Sequence, residues 1–93
     1  MSYTKNYSIT QAGWTLLVTG QTTGFVQLIS DGPVLIQVAQ SDPGTGSFDG
    51  VELHAEGLNE VTMEAMEAGD KIYARCRHNE TNTVVALAPG TAP

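Results

Sequence analysis

Seven of the chain's ten acidic residues, Asp49, Glu52, Glu56, Glu60, Glu64, Glu67 and Asp70, fall in one stretch, and four of them recur at every fourth position. Paired carboxylates are the working groups of glycoside hydrolysis, but that chemistry needs a deep cleft and one carboxyl group kept protonated by its surroundings. A chain of 93 residues has little room for either. The stretch reads instead as a solvated acidic rim that blunts sheet edges, or as a surface that meets a basic partner.

Other reactive side chains are sparse. Cys76 shares its parity with Ile72 and Ala74 and reads as a small core residue; no Cys-His-Asn arrangement accompanies it. His54 stands between Glu52 and Glu56 on one strand parity and reads as solvated or hydrogen-bonded. None of Ser2, Ser8, Ser30, Ser41 and Ser47 sits in a Gly-x-Ser-x-Gly elbow. The glycine-rich run Gly44 to Gly50 lacks the spacing, the lysine and the following helix of a phosphate loop, and Asp42 and Asp49 lack the ligand spacing of a calcium loop. Cys76, His54 and His78 are too few for a four-ligand zinc site. The expectation is a protein without enzymatic activity, metal or other cofactor.

These residues must be positioned by short apolar blocks: Trp14 to Val18, Phe25 to Ile29, Val34 to Ala39, Val51 to Ala55, Val61 to Met66, Ile72 to Cys76 and Val84 to Leu87. The blocks are rich in Val, Ile and Thr and are separated by clusters of Gly, Ser, Thr, Asp and Asn, which is the pattern of strands joined by turns. They predict an all-β fold, a small antiparallel β-sandwich or barrel of about seven short strands. Ser30-Asp31-Gly32-Pro33 predicts a tight hairpin, because Asp-Gly supplies positive φ. A second hairpin is expected to join Lys71–Arg77 to Thr83–Leu87 through residues 78–82, and residues 40–50 read as a loop. In residues 60–68 a strand is preferred to a helical turn: Met63, Met66 and Gly69 would suit a helix, but Glu60 and Glu64 would repel one turn apart.

Alternation then assigns faces. In the block from Lys71 to Arg77, Ile72, Ala74 and Cys76 point one way, and Lys71, Tyr73, Arg75 and Arg77 the other, as in a strand with one solvated face. Trp14 to Val18 and Val34 to Ala39 are apolar on both parities, so both of their faces are expected to be covered. One sandwich core covers a single face of each sheet, so the second cover is expected from another subunit, or from a terminal arm. The expected assembly interface is Trp14, Phe25, the outward face Leu35, Gln37 and Ala39 of the third block, and Arg75 with Arg77, paired across subunits with the acidic rim.

Composition bounds the rest. The length allows one domain, read as residues 14–87 with an N-terminal arm at 1–13 and a C-terminal tail at 88–93. A single cysteine excludes an internal disulfide framework. A net charge of −6 with four cations argues against binding nucleic acid or an anionic membrane surface. Apolar runs are far too short to span a bilayer, and the first residues lack the apolar stretch of a leader, so folding in a reducing cytoplasm is expected.

The run from Ser30 to Pro89 resembles small virion-associated proteins of tailed bacteriophages. The residues that carry the likeness are Asp31 to Ala39, Glu56-Gly57, Ala68 to Arg75 and Thr83 to Pro89, about two thirds of the chain. The resemblance implies a non-enzymatic β-sandwich that decorates a capsid or sits in a tail or fibre. It would act as a homo-oligomer on the major capsid protein or other virion proteins, and it brings no site residues. A different reading is a carbohydrate-binding module with Trp14, Tyr73 and the loop around Phe48 as its contacts, although a lone tryptophan opening an apolar strand reads first as a core or interface anchor.

Overall fold

The computed structural model describes residues 2–19, 23–64, 67 and 69–89. Its strands are β1 (Ser2–Ile9), β2 (Thr15–Thr19), β3 (Thr23–Leu28), β4 (Val34–Ala39), β5 (Val51–Leu53), β6 (Glu60–Glu64), β7 (Lys71–Cys76) and β8 (Asn82–Pro89). They form two antiparallel four-stranded sheets, ordered β1-β8-β3-β6 and β2-β7-β4-β5, packed as a β-sandwich. Period-two alternation supplies the core. Val26 and Leu28, Val34 and Ile36, Ile72, Ala74 and Cys76, and Val84 and Ala86 all point between the sheets, joined by Ile9, Leu17, Val18 and Leu53. Burying each of the larger side chains contributes about 1.5–3 kcal/mol relative to leaving it exposed.

The strand count is eight because the segment read as an N-terminal arm contributes β1. It pairs with β8 along its whole length, from Ser2↔Pro89 to Ile9↔Asn82, and Ile9 is fully buried in the core. Polar composition concealed it: Thr4, Asn6 and Ser8 occupy the exposed outer face, and few apolar side chains face inward. Residues 88 and 89, read as tail, extend β8, while 90–93 lie outside the described residues. Lys5 lies over the Tyr7 ring, 5.1 Å from its centre, and places a charge on this edge strand, which discourages further strand pairing.

Tyr7 ties the two sheets together by donating its hydroxyl to Leu17 O at 3.1 Å. Burial raises its pKa above the ordinary 10.0. Below pH 10 the phenol is protonated in the folded and unfolded chains alike; above it the unfolded chain loses the proton first, so stability falls as pH rises. Melting at a series of values from about pH 9 to about 11 is expected to show this loss. Tyr7→Phe is expected to reduce it, and an unchanged slope in that variant would assign the alkaline sensitivity elsewhere.

Both predicted hairpins are absent. Gly32 does have the expected positive φ, 79°. The turn nonetheless carries the chain from β3 in one sheet to β4 in the other, and residues 77–81 likewise cross from β7 to β8. Gly32 N–H donates to Asn82 Oδ1 at 2.8 Å and Arg77 N–H to Pro33 O at 3.2 Å, so each crossing is anchored to the other. Among the connections only β4 to β5 stays within a sheet, with Val34↔Leu53 and Ile36↔Val51 in register. Turn residues specify a local φ, whereas the choice of sheet depends on where the next apolar face finds its cover.

The double-sided apolar block in β2 has a local cause. Its pairing with β7 jumps from Leu16↔Tyr73 to Val18↔Ile72, and this bulge lets Leu17 and Val18 both face the core. The segment at 60–68 begins as a strand, as expected, with Val61 and Met63 against the core. Residues 65, 66 and 68 lie outside the described residues.

Candidate functional site

On the outer face of sheet β2-β7-β4-β5, register places Leu16 and Gln37 on either side of Tyr73, Leu35 beside Arg75, and Ala39 beside Lys71. Trp14, which enters β2 from the preceding turn, packs with Leu35 and Tyr73, and Ala39 joins them. Five of the residues expected at an assembly interface, Trp14, Leu35, Gln37, Ala39 and Arg75, thus share one face.

That face is covered from within the chain, which corrects two expectations. Arg75, expected on a solvated face, is only 5% exposed, and Tyr73 only 6%. Thr45, Ser47 and Phe48 lie against Arg75 from the loop at 40–50, and Gln11, in the segment expected as a terminal arm, meets it as well, so the cover at Arg75 comes from the chain itself. The Arg75 guanidinium holds this cover in place. Its Nε donates to Gln11 O at 2.8 Å, and its Nη1 donates to Thr45 O at 2.6 Å and Ser47 O at 2.8 Å. The Phe48 ring lies over the guanidinium, 3.9 Å from its carbon to the ring centre. The loop has few apolar side chains, so composition gave no hint that it is a cover; it covers largely with backbone carbonyls, which every sequence possesses.

The other expected cation contact also lies within the chain. Arg77 is exposed and its Nη1 lies 2.9 Å from Glu52 Oε2, while Glu52 Oε1 lies 2.7 Å from His54 Nε2. Among the described residues Arg75 has no carboxylate within ion-pair distance. A buried arginine held only by neutral carbonyls and a ring lacks the usual compensation for desolvation by an opposite charge.

Two further polar atoms on this face, Trp14 Nε1 and Gln37 Oε1, are buried without a partner among the described residues. Each lowers stability by about 1–3 kcal/mol relative to a satisfied group. Residue type alone did not reveal either, since orphaning depends on what the neighbours present.

Phe25 stands apart from the other expected interface residues. It belongs to β3, paired with Leu87 and Thr62, and by alternation with buried Val26 it faces outward from the opposite sheet. Ile29, which follows β3, and Leu58, two residues before β6, are 59% and 54% exposed. Leu28 N–H donates to Asn59 O at 2.7 Å, which brings the flanking Ile29 and Leu58 alongside one another.

A shallow depression of about 410 Å³ is lined by Asp31, Gly32, Pro33, His54, Ala55 and Glu56. The Glu52–His54 contact beside it resembles half of a general-base pair, but no serine, threonine or cysteine lines the depression for it to activate. Cys76 is in the core, donating to Ile9 O at 3.0 Å and receiving Asn82 Nδ2 at 3.3 Å. Among the described residues no group of three His, Cys, Asp or Glu side chains could hold a metal ion, and no helix is long and apolar enough to cross a membrane. No protein-family model, curated protein or solved structure matches the chain.

Proposed function

We propose that the chain is a non-enzymatic virion structural protein, a capsid decoration protein of a tailed bacteriophage that acts as a homo-oligomer and is made in the host cytoplasm. The observation that supports this reading is the outer face of sheet β1-β8-β3-β6. Half-buried Phe25 and Val85 lie there, and exposed Ile29 and Leu58 stand just after β3 and just before β6. Apolar side chains grouped on an exterior sheet surface favour a partner surface. On the opposite sheet Leu35 is buried within the chain, so it is not a free anchor. A place in a tail or fibre would use the same face.

Light scattering of the purified protein, followed by mixing with capsids that lack it, tests the reading. Oligomers that bind the particles are expected, and Ile29→Asp with Leu58→Asp is expected to abolish both properties while leaving the melting temperature within a few degrees. A stable monomer without affinity for any particle would sink the proposal. A second reading, a carbohydrate-binding module, is favoured by the grouping of Trp14, Tyr73 and Phe48 on and over one sheet face.

A further inference from the structure

We propose that the sheet face beneath residues 44–48 binds a neutral saccharide ring, with Trp14 Nε1 and Gln37 Oε1 as its polar contacts and the loop as a cover that lifts to admit it. This rests on the carbohydrate-binding reading and is independent of whether the chain assembles on a particle.

Trp14 is only 8% exposed, yet among the described residues its indole N–H has no acceptor, and the Gln37 carbonyl oxygen on the same face has no donor. One orphan donates and the other accepts. A hydroxyl group satisfies both kinds of partner, because it accepts and donates at once. Saccharides present hydroxyls around a ring whose C–H faces are apolar, and Trp14, Tyr73, Leu35 and Phe48 provide apolar surface to receive such a face. A ligand carboxylate would serve the indole but not the Gln37 oxygen. It would also approach Asp42 and Asp49 in the loop and Glu52 beside Leu35.

What ties residues 44–48 to this face is the Arg75 guanidinium. Arg75 makes the two bonds to Thr45 O and Ser47 O, and Phe48 is 43% exposed despite lying over the guanidinium. Its internal bonds, Gly44 N–H to Asp42 Oδ1 at 2.8 Å and Ser47 N–H to Gly44 O at 3.2 Å, keep its shape as it moves. Gly44 and Gly50, with φ of 92° and 143°, bracket the moving part. Ligand hydroxyls would then accept from Arg75 in place of the two carbonyls, so opening loses no guanidinium bond.

The test titrates the full chain with cellohexaose, maltohexaose, chitohexaose and mannohexaose, followed by calorimetry and by the emission of Trp14, the single tryptophan. Saturable binding of at least one, with Kd of about 1 mM or tighter, is expected. Trp14→Phe and Gln37→Met are each expected to weaken it about tenfold while leaving the melting temperature unchanged or higher, since each removes an unpaired buried polar atom. Should Trp14→Phe fail to fold, Gln37→Met decides alone. No saturable binding up to about 10 mM overturns both this site and the carbohydrate reading. Binding that neither variant weakens overturns the site and leaves the carbohydrate reading standing. A lower melting temperature in Gln37→Met, with binding unchanged, assigns the two atoms to a buried water only and also overturns the site.

Discussion

Arg75→Met is expected to destabilise the protein by about 2–4 kcal/mol, because hydrogen bonds to charged groups contribute about 1.5–3 kcal/mol and three are lost here, offset in part by the desolvation that arginine no longer suffers. The variant leaves Gln11 O, Thr45 O and Ser47 O without their donor and frees Phe48 from the guanidinium. In a chain of this size each kcal/mol moves the melting temperature by about 4–8 °C, so a drop of roughly 10–20 °C should be visible by circular dichroism. Trp14 should also report the change, since water reaches it once residues 44–48 lift. Arg75→Lys is expected to be about as damaging. An ammonium is a single point of donation and cannot reach Gln11 on one side and Thr45 and Ser47 on the other as the guanidinium fork does. A melting temperature lowered by less than about 2 °C in Arg75→Met would mean that the arginine does not hold the cover.

Gly50→Ala is expected to have an effect of similar size from a different cause. Gly50 has φ of 143°, and a Cβ there would lie 2.5 Å from Ile36 O and 3.1 Å from Ile36 C. The obstructing atoms are backbone of β4, whose Ile36 is paired with both Val51 and Ala74, so they cannot move aside without disturbing the sheet. Backbone strain of about 1–3 kcal/mol and overpacking of about 1–3 kcal/mol together give a loss of roughly 2–6 kcal/mol. Gly46→Ala in the same loop is the control. Nothing lies within 4 Å of its Cβ position, so its effect is expected to stay within about 0.5 kcal/mol. Urea unfolding of the pair separates them, and equal midpoints would refute the close approach of Gly50 to β4.

Much of the sandwich was legible in the sequence. Val34 to Ala39 coincides with β4, and the blocks at 72–76 and 84–87 lie within β7 and β8, because alternating β-branched residues bounded by turn formers have few other folded solutions. β1 was not legible: a strand at a sheet edge needs apolar side chains on one face only, and near its end Tyr7 and Ile9 suffice. The hairpins failed for a related reason. Asp31-Gly32 determined a positive φ, but Asn82, distant in sequence, accepts from Gly32 and fixes where the turn leads.

The candidate site was legible in part. Alternation correctly placed Leu35, Gln37, Ala39, Tyr73 and Arg75 on one face, because strand parity depends only on the backbone. Their exposure was misjudged. Arg75 shares its parity with Lys71, Tyr73 and Arg77, the pattern of a solvated face, whereas its burial depends on carbonyls of residues 11, 45 and 47 that no residue type advertises.

By itself the sequence determined the all-β class, most strand positions, the side-chain parity in β4 and β7 and the core placement of Cys76. These follow from local propensity and period, which act over a few residues. Only the tertiary structure decided which strands share a sheet, that Thr45, Ser47 and Phe48 lie against Arg75, that Arg77 pairs with Glu52 in its own chain, and that Trp14 Nε1 and Gln37 Oε1 find no partner among the described residues. Each of those outcomes is a contact between residues far apart in the chain, and its energy exists only once the two sheets have closed on one another.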